Sequence, residues 1–273
     1  MSEWKRVGTS PATGCGHYVA KCYTTAEFLN PPARLSECTA CETHQAGAGF
    51  MGSEDYASGV ALIRSGWPSG AERAREMAEK LDGVLAAASR RETFQTEWDV
   101  SGDEADVSRF LSGEPENMAL SVPVPAEGDG GAVVRLAIKG GGSAEVSVET
   151  FSRAAVLIAA AVDRMEAAGR RVEVWVYYAA KFGTELAEVW HLLKRAEDSV
   201  DLPRLVAGLS AAAFRRVGWR WRESRKALKP SHSYGYSQAS ELPLESGEIR
   251  LDAVHVGRVM NGLEAEWMRS IGA

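Results

Sequence analysis

The stretch VVRLAIKGGGSAEVS, residues 133–147, decides how this chain is read. Its first seven residues are mostly β-branched or apolar and predict a buried strand; three glycines then free the backbone to leave it, and a helix starts after them. The next residues, VETFSRAAVLIAAAVDRMEAAG, put Phe151, Ala155, Ile158, Val162 and Met165 on one helical face, with Gly169 at the position that favours a left-handed C-terminal turn. RRVEVWVYY follows as a second strand, so the segment is a βαβ unit with parallel strands and a right-handed crossover. AAKFGTE is short enough to turn the chain back, and LAEVWHLLKR is expected to lie antiparallel to the preceding strand as a sheet edge, His191 within it at the surface or satisfied by a neighbour.

Outward from this unit the pattern weakens. DLPRLVAGLSAAAFRRV predicts a helix with Pro203 in its first turn and Gly218 stopping or bending it. WRWRES reads as a strand by its period of two, EIRLDAVH as a last strand, and GRVMNGLEAEWMRSIGA as a terminal helix. Upstream, CGHYVAKCYTT is a short strand before a helix capped by Thr24 or Thr25, and residues 53–64 and 71–89 predict two helices. FQTEWDVSG is strand-like, and ALSVPVP, with prolines at 123 and 125, is an edge strand expected to pair back with 133–139. The expected organisation is a mostly helical region over 1–93 and a Rossmann-like α/β domain over 94–273, with helices on both faces of its sheet.

With 45% hydrophobic and 25% charged residues in 273, the chain has the composition of a globular protein. Its net charge of −6 gives no global attraction to nucleic acid, so any such site must be local. No apolar leader and no long uninterrupted apolar run occur, and a cytoplasmic location is expected.

Strand, Gly/Ser loop, apolar helix, strand and antiparallel edge strand together resemble the first half of a von Willebrand factor A domain. In that family the loop carries Asp-x-Ser-x-Ser, which holds Mg²⁺; here the run is KGGGSAEVS, with Lys139 or Gly140 at the aspartate's place and Ser143 and Ser147 as the hydroxyls. The resemblance therefore implies the fold without its metal. FMGSEDYASGVALIRSGWPSGAERA and WDVSGDEADVSRFLSGEPENM also look like segments of an uncharacterised family of bacteriophage and prophage proteins, which implies a cytoplasm of bacterial type and no particular activity.

Three groups of residues are candidates for chemistry. Gly140, Gly141, Gly142, Ser143 and Ser147 form a loop at a strand's C-terminal end and a helix N-terminus, where an anion could bind, although neither phosphate-loop nor dinucleotide spacing is present. Cys15, His17, Cys22, Cys38, Cys41 and His44 include Cys-x2-Cys-x2-His and could hold a structural zinc, or remain reduced thiols. Arg215, Arg216, Trp219, Arg220, Arg222 and Lys226 interleave cations with indoles, as a nucleic-acid groove does, or else present a solvated face. Asp103, Glu104, Asp106, Glu114 and Glu116 are paired carboxylates in a Gly/Pro-flanked segment, expected to be solvated. The leading expectation is a non-catalytic interaction or assembly protein that binds another protein through its sheet edge and loops. A nucleic-acid-binding accessory protein is the alternative, and an enzyme or nucleotide-binding protein centred on Ser143 a third.

Overall fold

The computed structural model describes residues 3–9, 14, 16–32, 47–86, 92–125, 133–142, 145–182, 185–225, 239–240, 242–244, 248–259 and 263–271. Contacts divide the chain into two units, Met1–Leu81 with Gly131–Ala273, and Asp82–Gly130. The expected boundary at 93/94 is thus replaced by a small unit inserted into a larger, discontinuous one.

The large unit is built on a mixed sheet of strands β1 (Lys5–Thr9), β2 (Gly16–Cys22), β6 (Val133–Lys139), β7 (Arg171–Phe182), β8 (Glu185–Lys194) and β9 (Glu248–Asp252), in the order β1-β2-β8-β7-β6-β9. Strands β6 and β7 are parallel, Val133 opposite Arg171 and Lys139 opposite Tyr177, around helix α6 (Val148–Ala167), as the sequence predicts. β8 runs antiparallel to β7 but is not an edge, because β2 lies parallel to its other side, with Cys22 opposite His191. β1 and β2 therefore make the N-terminal region part of the sheet and not a helical appendage; β1 pairs antiparallel with β2 and β9 parallel with β6.

The helices of this unit are α1 (Thr25–Phe28), α2 (Ala48–Met51), α3 (Tyr56–Ser65), α4 (Pro68–Ala86), α6, α7 (Leu202–Gly208), a π-helical turn at Ala213–Gly218 that runs into α8 (Trp219–Arg225), α9 (Ala253–Gly257) and α10 (Glu264–Ser270). Their contacts lead to one sheet face. Phe28 stacks on Tyr178 and His191, Phe214 meets Tyr178 edge-on and Phe151 likewise meets Phe214. Gly257 lets α9 cross α6 so closely that a Cβ there would lie 2.0 Å from the Thr150 carbonyl oxygen. The other face carries Trp175, Tyr177, Trp190 and Leu192, and among the described residues Leu242 packs on it and no helix does. Among the described residues, then, the helices lie on one face, where the sequence predicts them on both. The parallel crossover β6-α6-β7 fixes the side of one helix, whereas the path to β9 starts from an antiparallel strand, where the handedness rule places nothing on the opposite side.

WRWRES is helix α8, not a strand. Trp221 is fully buried and its indole donates to the Phe28 carbonyl at 2.8 Å, so four alternating residues were a segment of helix with one indole turned inward.

The small unit is an antiparallel sheet of β3 (Glu92–Asp99), β4 (Glu104–Ala105) and β5 (Met118–Pro125), ordered β3-β5-β4, with helix α5 (Val107–Leu111) between the last two in sequence. β5 pairs with β3 and β4 and not with β6. Its prolines still obey the edge rule: β4 reaches only Met118 and Ala119, so at Pro123 and Pro125 β5 has a partner on one side alone.

Candidate functional site

The glycine loop is shaped by packing. The Gly140 amide donates to the Tyr177 carbonyl at 2.8 Å, and a Cβ at Gly140 would lie 2.7 Å from a ring carbon of Tyr178 and 2.8 Å from one of Phe214. Gly141 has φ +100°, a conformation that favours glycine. Gly142 is closed in by Val254, 2.7 Å from its notional Cβ. Ser147 caps α6, its hydroxyl accepting from the Thr150 amide at 3.1 Å, while Ser143 lies outside the described residues. At the loop's base the Lys139 ammonium is 2.8 Å from Asp252, whose other oxygen accepts from the Val254 amide and caps α9. The carboxylate beside Lys139 in the sheet is thus already paired with a cation and an amide.

Of the cysteine/histidine set, Cys15, Cys38, Cys41 and His44 lie outside the described residues. His17 and Cys22 are five residues apart on β2, so strand alternation sends them to opposite faces. His17 is hydrogen-bonded to Glu188 at 2.8 Å, on the face with Trp190, and Cys22 is buried on the helix side beside Tyr178. These two do not share an ion, which corrects the six-residue constellation. Among the described residues no group of three or more His, Cys, Asp or Glu is arranged to hold a metal.

The basic run is split between interior and exterior. Arg215 and Arg216 are buried, 2% and 0% exposed, which corrects their assignment to a nucleic-acid groove. Arg215 donates to the carbonyls of Phe50 and Val146, and its guanidinium lies 4.0 Å from the Phe50 ring centroid and 5.1 Å from that of Phe151. Burial lowers its pKa to about 10, so it stays charged at neutral pH. Arg216 donates to the carbonyls of Ser53 and Glu54 at 2.6 and 2.8 Å. Arg216 thus clamps the turn ahead of α3, where Asp55 is the N-cap and Gly59 leaves room for the Arg216 stem, while Arg215 ties α2 to the segment that leads into α6. Trp219 is half-buried beside Phe50, and Arg220 is half-buried 6.0 Å from the Tyr56 ring centroid. The Arg222 side chain and Lys226 lie outside the description.

Two features escaped the sequence reading. The first is a cleft of about 190 Å³ on the sheet face that lacks helices, walled by Lys21, Arg135, Trp175, Trp190, Leu242 and Arg250. Its polar groups are mostly occupied. Glu173 accepts from Arg135 at 2.5 Å and from the Trp175 indole at 2.8 Å, Glu188 accepts from the Trp190 indole, and Arg250 binds Glu248 and the carbonyls of Ser240, Leu242 and Pro243. Ion pairs closed within the sheet and its covering strap make this cleft a structural joint more than a ligand cage.

The second is on the small unit. Helix α5 presents Val107, Phe110 and Leu111, at i, i+3 and i+4, with exposures of 65%, 65% and 79%, and Val100 is 67% exposed. The helix is held at both ends: Asp106 accepts from the Ser108 and Arg109 amides, the Asp106 amide donates to Asn117, and Gly113 ends the turn with φ +75°. Arg109, on the other side, lies 4.6 Å over the Trp98 ring and 2.7 Å from Glu114. An apolar stripe on a rigidly capped helix, turned to solvent, is a surface suited to another chain. No expectation attached it to a site, because WDVSGDEADVSRFLSG draws attention by its acids.

A family model described as "Domain of unknown function" (DUF7192) matches residues 22–262. No curated protein and no solved structure matches the chain.

Proposed function

The chain belongs to the DUF7192 family, and from that premise we propose that it is a non-catalytic interaction protein whose docking surface is the exposed apolar stripe of α5. The observation that carries this reading is the exposure of Val107, Phe110 and Leu111 together, where an isolated unit would turn such a stripe inward. Burying a large apolar side chain against a partner contributes about 1.5–3 kcal/mol. Three of them are of the same size as the roughly 4–15 kcal/mol that association costs in lost freedom, so the stripe is an anchor and net affinity needs further contacts around it.

The large unit supplies the scaffold, which we read as A-domain-like and metal-less. The strand order β8-β7-β6-β9 follows the 3-2-1-4 start of a doubly wound sheet, with its third strand, β8, antiparallel and β2 and β1 added beyond it, and the glycine loop stands at the C-terminal end of its first strand. The Lys139–Asp252 pair supports the absence of Mg²⁺ chemistry there. An assembly role of the phage type fits this combination of rigid scaffold and presented helix. The nucleic-acid alternative is left with Arg220 as its one described, partly exposed arginine, since Arg215 and Arg216 hold carbonyls inside.

Selection of random peptides by display on the intact protein tests this. Selected peptides should bind the Phe110→Ser/Leu111→Ser variant at least about tenfold more weakly, a loss of about 1.4 kcal/mol, with an unchanged melting temperature because both side chains are exposed. Peptides that bind both proteins equally, or a failure to select any, would sink the proposal.

A further inference from the structure

The distribution of charge names the partner's chemistry. Between residues 82 and 130 eleven Asp and Glu stand against three Arg, a net −8, whereas the whole chain carries −6, so everything outside this unit is net +2. The acidity of the molecule is thus concentrated in 49 residues that also carry the exposed stripe. Glu97, Asp99, Asp103, Glu104, Glu114 and Glu116 are all exposed, on the strands and turns that hold α5. The one cation between Glu97 and Glu116, Arg109, is already paired with Glu114 and stacked on Trp98.

We propose that the stripe formed by Val107, Phe110 and Leu111 docks a basic amphipathic helix of a partner protein, its apolar face on the stripe and its lysines or arginines against the surrounding carboxylates. This rests on the preceding reading of α5 as a docking surface and adds the identity of what docks. A helix laid on an apolar stripe with anchors at i, i+3 and i+4 is an established mode of recognition. Opposite charge at the rim accelerates the encounter and rejects wrong partners more than it adds affinity. The same field excludes two other occupants. Nucleic acid is repelled by its phosphates, and a second copy brings another −8 to the contact.

Three 18-residue helical probes separate the claims, each with one Leu stripe and a polar face of Lys, Gln or Glu, read by fluorescence anisotropy on the full chain at low salt. The Lys probe should bind at least tenfold more tightly than the Gln probe, and the Glu probe should bind least. Raising the salt should narrow the Lys-to-Gln difference, since surface charges are screened over about 10 Å at 0.1 M. A Lys-faced scramble that disperses the stripe, and the Phe110→Ser/Leu111→Ser variant, should each lose at least tenfold. Equal affinity for the Lys and Gln probes overturns the basic partner and leaves the docking stripe standing. Binding of the scramble as tight as that of the Lys probe shows charge alone at work and overturns the proposal. No binding of any probe overturns both readings, whereas a sedimenting dimer that the double variant abolishes overturns the basic partner and leaves the docking stripe standing.

Discussion

At the scale of single residues, one buried histidine stands out among the described residues because its neighbours satisfy neither ring nitrogen. His191 is fully buried, both ring nitrogens lack a hydrogen-bond partner among the described residues, and its ring stacks on Phe28 with centroids 4.3 Å apart. Burial lowers its pKa from 6.5 to about 3. Between those values the unfolded chain binds a proton that the folded chain does not, so stability is fully present above pH 6.5 and is lost as pH falls towards 3. The loss is up to about 1.4 kcal/mol per pH unit within that window. His191→Phe keeps the stack on Phe28 and removes the two unpartnered nitrogens, a change that is neutral or stabilising when shape is conserved. Urea melts at pH 7, 6, 5 and 4.5 should give a flatter acid limb for the variant, with no loss of stability at pH 7; identical slopes in the two proteins would remove His191 as their cause. The sequence places this histidine on an edge strand, at the surface or satisfied by a neighbour, because the strand that covers its flank, β2, comes from far upstream. Arg215 and Arg216 were hidden in the same way. Nothing in a basic run reveals that its acceptors are the carbonyls of Phe50, Ser53 and Glu54.

At the scale of elements, what was legible was what repeats. β6, α6 and β7 follow from a short β-branched and apolar run, then a helical period of 3.6, then a second such run, and they stand where the sequence puts them. The glycine loop between them was visible too, but its reason was not: one glycine has positive φ while two make room for rings and a valine that arrive from other elements. α8 shows the limit, since four residues of W-R-W-R alternation cannot distinguish a strand from a helix with one buried indole. The loop reading is open to test. Gly140→Ala puts a methyl 2.7 Å from Tyr178 and 2.8 Å from Phe214, so the rings must shift, and overpacking of this kind costs about 1–3 kcal/mol. The expected result is a lower melting temperature in the variant. Millimolar Mg²⁺ should leave the melting temperature of the unmodified protein unchanged, because an ion that bound only the native state would raise it. A Mg²⁺-dependent rise would mean that the loop keeps the metal chemistry its missing aspartate denies it.

At the scale of the whole molecule, the division into two units was beyond the sequence because one of them is discontinuous: strands from before residue 23 and after residue 132 share a sheet, and the chain between them leaves and returns. Composition marks that excursion only in its charge. The large unit carries the extended sheet, the buried aromatic cluster of Phe28, Phe151, Tyr178 and Phe214, and the arginine clamp on the turn before α3, all from its own residues. Its stability should therefore not depend on the acidic insert. A variant in which residues 87–130 are replaced by a flexible Gly/Ser linker, long enough that loop closure changes by less than about 1 kcal/mol, should melt cooperatively within a few degrees of the full chain. Near-ultraviolet circular dichroism should keep the signal of Trp175, Trp190 and Trp221 and lose only the contribution of Trp98. The net charge should shift from acidic to nearly neutral, and binding of the lysine-faced helix should vanish with the insert. If the shortened protein is instead molten, the two units share their folding free energy and the insert is a structural part of the scaffold; if it folds and still binds the basic helix, the docking surface lies elsewhere on the molecule.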